Sequence, residues 1–583
     1  MKKKIADIYK LISFTDFIKF LFLLLLLVIN AILEVVSIGS IVPVYKSIID
    51  PMFFQSYQSY YFQNIINYIA SLSSKGQIIF VSLIFIVIFL FKTILNIATI
   101  KYNLNLIKNL KIKISLAIFK IYSTKNYYFF IQNSSSALVT NLLKEVNELC
   151  DRFIFSFINI ILELLTIIFI ISFLIYIDPD QSILIFLIFG FLFFAYNLLV
   201  KKKISKSAEQ RQIMDVKKYS ILNNYFRSVK EIKSNQVEIF FYKMFEKSVT
   251  VFENVFSNFL FIQIIAKPFF EFFILLALII FFIFKLQNNV NLQDIFFSIT
   301  VLFISAFRGV PCLFRLTNSY ANMKFSLPSL KIIVDIIKLI RNNKEYKNFF
   351  STKDALNFKN KIEFKEISFK YPGSNNYILQ NFNFKLIKKQ KICIVGKSGS
   401  GKTTFVDLLI GLLKPTGGSI LVDGIDIKEM KGFNKNFLLS ASYIPQDSFL
   451  LEESIEQNIL LGNQYFNSDK FREVLNLCKL NSFVDSLPAK EKTFVGEGGN
   501  KFSGGQKQRI SIARSFYNSK EIIIFDEPLN ALDLETKKII FNNIFKYFKD
   551  KTIICILHDK KFLRYFDQCY EIKNKKITNT IIK

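Results

Sequence analysis

Tryptophan is absent from this chain of 583 residues and histidine occurs once. The six cysteines, at 150, 312, 393, 478, 555 and 569, form no Cys-x-x-Cys pair and have no histidines to join, which excludes the common zinc frameworks and gives no sign of a disulfide scaffold. Reduced, structural thiols are the expectation. Repeats and low-complexity tracts are missing too. Acidic residues are few beside basic ones, 45 against 75, and the net charge is +30. That excess raises nucleic acid as a partner. The basic residues are mostly lysine, however, dispersed through a chain rich in Ile, Asn and Phe, a mix that fits AT-rich coding bias better than a binding surface. No nucleic-acid partner is expected.

Apolar residues are what the chain has in excess, at 52%, too many for an ordinary soluble protein. Six apolar segments, about 17–42, 77–100, 153–177, 182–200, 259–284 and 292–314, are each long enough to cross a bilayer as a helix. The first follows a Lys-rich N-terminus, as in a signal peptide, but it is too long and lacks a small-residue cleavage site, so it reads as a retained span. Connections 101–152 and 201–258 are long and Lys-rich, whereas 178–181 and 285–291 are short and nearly free of basic residues. The positive-inside rule therefore places the long connections, the N-terminus and everything after 315 in the cytoplasm. Helix-like periodicity makes 101–152 and 201–258 cytoplasmic extensions of the membrane helices.

A polar stretch around Arg341-Asn-Asn-Lys-Glu-Tyr marks a linker, 331–360, between a transmembrane domain, 1–330, and a second domain, 361–583. There, short β-rich runs (Lys361–Tyr371, Lys391–Val395, Glu521–Phe525, Thr552–Leu557) alternate with helical stretches. The expected fold is an all-α six-helix transmembrane domain followed by an α/β P-loop nucleotide-binding domain.

The run Lys391–Val395 leads into Gly396-Lys-Ser398-Gly399-Ser400-Gly401-Lys402-Thr403, which matches the P-loop pattern G-x-x-x-x-G-K-[ST]. Glycines let backbone N–H groups converge on phosphate oxygens at a helix N-terminus. Lys402 would neutralise the β- and γ-phosphates of ATP, Thr403 would offer its hydroxyl to Mg²⁺, and Thr404 follows beside them. Downstream, an apolar run delivers Asp526 and Glu527, the first to hold Mg²⁺ and the second to act as general base on the attacking water. A solvated Asp-Glu turn is the bland alternative.

The segment Phe502-Ser503-Gly504-Gly505-Gln506 resembles the signature sequence of ATP-binding-cassette (ABC) proteins, with Phe502 in place of the usual Leu. Physically, Ser503 and the two glycines open a helix whose N-terminus can cap a phosphate. The resemblance implies further roles: Tyr371 stacking on adenine, Gln446 reaching Mg²⁺ and the attacking water, Asn530-Ala531-Leu532-Asp533 as D-loop with Asp533 beside the nucleotide, and His558 as the γ-phosphate switch. Thr493–Gly498 is similar to the exporter X-loop, with Phe494 where an acidic residue is usual. Because such a signature completes the site of another cassette, a second chain is implied, a homodimer or a heterodimer with a related chain.

One membrane domain before one cassette resembles the type IV exporter half-transporter, placed in the bacterial cytoplasmic membrane, and no peptidase domain precedes the first span, which argues against a peptide-processing exporter. Ala306-Phe-Arg308-Gly-Val-Pro311-Cys-Leu-Phe-Arg315 resembles the Arg-containing motif of lipid-linked-oligosaccharide flippases of the PglK type; Glu34–Pro43, Phe91–Asn96 and Lys267–Glu271 resemble stretches there as well. The implied cargo is a polyprenyl-pyrophosphate-linked glycan or a related amphipathic anion, held by a cationic wall of Lys92, Lys267, Arg308 and Arg315. Lys267 and Glu271, four apart, make an internal ion pair the bland alternative, and Arg315 can simply snorkel to the interface. A lipid or multidrug exporter and an ATP-hydrolysing regulatory membrane protein are the competing readings. The aromatic stretch Tyr57–Phe62 reads as a short external helix near a lipid tail or as an interfacial belt.

Overall fold

Among the described residues, the elements up to Arg341 are helical and the first strand begins at Lys361. The computed structural model describes residues 14–40, 43, 63–177, 179–287, 292–341, 359–427, 441–463, 465–529, 531–557 and 560–580, so the stretch Tyr57–Phe62 lies outside the described residues. Two compact units emerge, one of Met1–Lys125 with Asn133–Phe349, the other of Asn126–Gln132 with Phe350–Lys583.

In the first unit the long helices are α1 (Phe14–Gly39), α2 (Ser74–Ser123), α3 (Phe155–Ile177), α4 (Pro179–Arg227), α5 (Glu238–Gln287), α6 (Leu292–Phe325) and α7 (Leu327–Arg341). The six apolar segments expected to span overlap the first six of these. Among the described residues, Thr15–Ser37, Lys75–Ser123, Ser135–Ile175 and Glu238–Ile280 are long and apolar enough to cross a membrane. Helix α2 runs for 50 residues, roughly 75 Å at 1.5 Å per residue, well beyond a hydrocarbon core of about 30 Å. Helices α4 and α5, of 49 and 50 residues, do the same, which is the structural form of the two Lys-rich connections. Ser73 starts α2 by accepting from the Gly76 N–H.

Two stretches of chain take a definite form. The short connection 178–181 is helical from Pro179, because proline's fixed φ suits the first helical position. The first part of the polar linker is α7, an amphipathic helix that buries Leu330, Ile333, Val334 and Ile337. Pro268 and Pro311 stay inside α5 and α6, as membrane helices tolerate when neighbours re-satisfy the freed carbonyl. Between α2 and α3 the helix widens into two π-helical turns, Asn141–Glu145 and Glu148–Ile154.

The second unit holds two sheets. An antiparallel sheet has the order β2 (Leu379–Ile387), β1 (Lys361–Phe369), β4 (Gly417–Val422), β5 (Ile425–Asp426). The larger sheet runs β10 (Lys576–Thr580), β9 (Gln568–Lys573), β3 (Lys391–Val395), β8 (Thr552–Ile556), β7 (Ile522–Asp526), β6 (Ala441–Ile444), parallel except for the β9–β10 pair. Strands β7 and β8 are buried at every residue, the pattern of a parallel strand covered on both faces. Phe405, on the helix α8 (Lys402–Leu409), sits among Phe364, Phe382 and Phe384 at ring distances of 4.9 to 5.5 Å and packs that helix on the antiparallel sheet. Strands β3, β6, β7 and β8 all end on one edge of the sheet, where α/β folds place their ligands.

Candidate functional site

The loop after β3 is shaped for backbone, not side chains. A Cβ on Gly396 would stand 2.8 Å from both the Ile572 carbonyl oxygen and Ser400 Oγ. Gly401, at φ 100°, turns the chain into α8, and a Cβ there would meet Ile378 at 3.0 Å. Ser398 and Gly399 are exposed at the loop's tip. Lys402 is buried, and its Nζ donates to the carbonyls of Gly396 (2.9 Å) and Lys397 (3.1 Å). Ser400 Oγ is buried without a partner. A glycine cradle, an ammonium parked on its rim and an unanswered hydroxyl are the features a bound phosphate would complete.

Across from the loop, β7 ends in Asp526 and leads straight into Glu527, both buried. Burial pushes the Asp526 carboxyl up, against hydrogen bonds from Tyr443 and Thr403 and the charge of Lys402 that lower it; the neighbouring Glu527 adds to the rise. The Tyr443 hydroxyl donates to Asp526 Oδ2 at 3.0 Å, and Gln446 Nε2 donates to Glu527 Oε2 at 2.9 Å. Burial next to Asp526 raises the Asp407 carboxyl on α8 to about 6. Glu527 itself has φ 51°, a left-handed backbone unusual for a glutamate, with its N–H bonded to the Ile556 carbonyl at 3.2 Å. The hydroxyl of Thr403, the carboxylate of Asp526 and the amide oxygen of Gln446 are the hard oxygen donors that would suit Mg²⁺. Tyr371 shares a 3.3 Å hydrogen bond with Thr404, so its ring stands at the foot of the same helix.

The structure gathers these residues but not the signature. Ser503 caps helix α9 (Gly504–Asn518) by accepting from the Gln506 N–H while Gln506 Oε1 accepts from the Ser503 N–H, a full capping box. None of the hydrogen bonds made by these signature residues reaches the P-loop. Gly505 lies against the D-loop, where a Cβ would come within 2.9 Å of Leu532 Cδ2, and Gln508 Oε1 accepts from the Ala531 N–H at 3.1 Å. Asp533 caps helix α10 (Leu534–Tyr547) through the Thr536 N–H at 2.9 Å. Phe502 is buried edge-on against Phe483 at 5.2 Å, a packing role. His558 and Asn530 lie outside the described residues.

In the membrane unit, a cavity of about 640 Å³ is lined by Glu34, Lys267, Glu271, Phe307, Pro311 and Arg315 together with aliphatic residues of α5. Two residues of the expected cationic wall, Lys267 and Arg315, line this cavity, and three of the wall's four cations have anionic partners. Lys92 is ion-paired with Glu34, Lys267 with Glu271 at 3.8 Å, and Arg315 with Glu163 through contacts of 2.5 and 3.0 Å. In a medium of low dielectric an unpaired cation is costly, and each of these three has a carboxylate in reach. The side chain of Arg308 is outside the described set.

Residues 52–307 match the ABC transporter transmembrane region and residues 379–530 match the ABC transporter family. The chain thus joins a match to the ABC transporter transmembrane region to a match to the ABC transporter family in one polypeptide. Among similar proteins, ABC transporter B family member 13 of Arabidopsis thaliana is 35% identical over 38% of this chain and 18% of its own length. An ATP-binding/permease protein of Staphylococcus aureus named for multidrug export is 33% identical over 42% of each chain. The chain thus spans less than half the length of these curated relatives. The solved structure of a bacterial Atm1-family ABC exporter with ATP bound superposes at a TM-score of 0.75 over 94% of this chain and 93% of that one, at 18% identity, a likeness of fold. The ATPase domain of this family works on ATP with Mg²⁺.

Tyr443, Asp407 and Gln508 escape a motif search, because what places them is strand pairing or a fold-back of the chain. Only Tyr443 leaves a trace, a polar tip three residues before Gln446 on a strand. Tyr443→Phe removes one charge-assisted hydrogen bond from a carboxylate expected to hold Mg²⁺. The Mg²⁺ concentration needed for nucleotide binding should rise about tenfold, as for other losses of an outer-shell partner. Titrating Mg²⁺ against a fluorescent ATP analogue reads this directly, and an unchanged midpoint would leave the Tyr443 bond without a role.

Proposed function

We propose that two copies of this chain form an ATP-driven exporter of amphipathic molecules of the lipid or multidrug type. The observation that carries this reading is the charge balance of the membrane cavity. Its described lining holds two cations, Lys267 and Arg315, and two anions, Glu34 and Glu271, so 2 − 2 leaves no net charge, amid a largely apolar wall. Such a cavity suits a ligand with an apolar body and a zwitterionic or weakly charged head. In the cytoplasm, Lys402 and the P-loop amides would hold the phosphates, Thr403, Asp526 and Gln446 the Mg²⁺, and Ser503 of the partner subunit would cap the γ-phosphate. Mg²⁺ when bound would neutralise charge on the β- and γ-phosphates. Glu527 polarises the attacking water, and pairing and release of the two ATPase domains would alternate access to the cavity.

A second reading, flipping of a lipid-linked oligosaccharide, is favoured by the stretch Ala306–Arg315, from which Phe307, Pro311 and Arg315 line the cavity. A pyrophosphate head requires cations in excess, so the two readings separate by experiment. In liposomes holding the purified chain, fluorescent phospholipids and apolar drugs should stimulate ATP hydrolysis and be moved across the bilayer, and an isoprenoid-pyrophosphate glycan should do neither. Stimulation and flipping of the glycan alone would reverse the choice. Lys267→Gln with Glu271→Gln should leave basal hydrolysis intact and change which amphiphiles stimulate it.

A further inference from the structure

A second groove of the membrane unit, about 590 Å³ in volume, runs between α4 and α5 and shares no residue with the charge-balanced cavity. Its α4 wall is Tyr196, Leu199, Val200, Lys203, Lys206, Ser207 and Gln210, spaced three or four apart on one helical face. Its α5 wall, antiparallel, is Val255, Asn258, Phe261, Ile262, Ile265 and Phe269. Tyr196 pins the two together by donating its hydroxyl to the Ile262 carbonyl, and its ring packs 5.3 Å from Phe269. The floor is therefore rigid, while Leu199 and Phe261 stand 71% and 63% exposed along the rim.

Polarity is graded along this groove. The Tyr196 and Phe269 end is wholly apolar, and the other end carries Ser207, Gln210 and Asn258. Lys203 and Lys206, both exposed, are the groove's charged residues, no acidic residue lines it, and neither lysine is ion-paired among the described residues. The gradient also has a known depth. The apolar run of α4 ends at Val200 and the Lys-rich cytoplasmic extension begins at Lys201. Along α5 the wall from Phe269 back to Val255 rises roughly 21 Å, of which ~15 Å, Phe269 to Phe259, belongs to the apolar span beginning at 259 and the rest reaches the headgroup layer. An apolar slot ending in two free ammonium groups at the cytoplasmic interface complements one ligand class.

We propose that this groove holds one anionic phospholipid of the cytoplasmic leaflet, its phosphate between Lys203 and Lys206 and an acyl chain along Phe261, Ile265 and Phe269. The proposal depends on the chain being embedded in a membrane and not on what it transports. Two interfacial lysines correspond to roughly a 30-fold preference for an anionic over a zwitterionic headgroup. The test is native mass spectrometry of the purified full chain after exchange into mixed phosphatidylglycerol and phosphatidylcholine. The wild type should retain one phosphatidylglycerol per chain in about that ratio. Lys203→Gln with Lys206→Gln should abolish the preference, with the melting temperature in phosphatidylcholine unchanged. Lys201→Gln with Lys202→Gln, on the same helix but outside the groove, should leave the preference in place. Equal losses in both double variants would reduce the effect to diffuse surface charge and overturn the site. A cysteine at Leu199 that cross-links to a second copy of the chain would likewise overturn it, by showing that the groove is covered by protein.

Discussion

Glu527→Gln is expected to slow ATP hydrolysis by about 10²–10⁴-fold while ATP binding persists, the range that loss of a general base produces. Glutamine keeps the shape of the side chain and removes only its ability to accept a proton from water. It also keeps an oxygen able to accept from Gln446 Nε2, which lies 2.9 Å from Glu527 Oε2, so the local structure should survive. The left-handed backbone at residue 527, φ 51°, sets the direction in which the side chain leaves the chain, and that setting belongs to the main chain. Two measurements check the expectation together: phosphate release from MgATP, and binding of a fluorescent ATP analogue. The variant should also trap the ATP-bound pair of chains long enough to be seen by size. Phosphate release within a few-fold of wild type would remove Glu527 from the role of base and leave it a positioning residue for Gln446.

Much of this site was legible because its demands are local. Gly396, Gly401, Lys402 and Thr403 stand close together in sequence and do their work on one turn of chain, and Ser503 and Gln506 close a capping box over three residues. The apolar membrane helices were legible for the same reason, since a run of apolar residues needs no partner to declare itself. Position along the chain also predicted that β3, β7 and β8 would be strands, but not that β8 would lie between the other two. The charges in the membrane show where the reading stopped. Arg315 was visible as an intramembrane cation, but Glu163, which neutralises it, is 152 residues away. Lys92 and Glu34 were both noted, and only packing of α2 on α1 makes them a pair. Tyr443 reaches Asp526 because β6 and β7 pair in parallel with Tyr443 opposite Ile524. Long-range partners decide whether a charge is a binding group or a neutralised one, and residue type alone does not report them.

Arg211→Met is expected to destabilise the membrane unit by about 3–5 kcal/mol, the largest effect anticipated for a residue remote from both the ATP site and the cavity. Arg211 is 1% exposed. Its guanidinium lies 3.3 Å from Glu145 and 3.1 Å from Glu148, donates to Ser329 Oγ at 2.9 Å, and covers the Phe325 ring at 5.4 Å. Glu145 and Glu148 come from the two π-helical turns, so one side chain ties both widened turns to α4 and to the start of α7. Methionine fills much of the volume and removes the charge, leaving two buried carboxylates with Arg152 as the remaining cation, 3.4 Å from Glu148. The cost comes from those carboxylates, not from the lost arginine itself. Arg211→Met combined with Glu145→Gln should therefore recover part of the loss, because the double change removes an orphaned charge as well as its partner. Arg211→Lys should fall between the two, since a single ammonium cannot match the planar fork that spans Glu145, Glu148 and Ser329 at once. Denaturation midpoints of the purified full chain in a fixed lipid or detergent measure all three. If Arg211→Met shifts stability by less than about 1 kcal/mol, the cluster is solvated in the working protein and the π-helical turns are held by their apolar packing of Leu149, Cys150 and Phe153 instead.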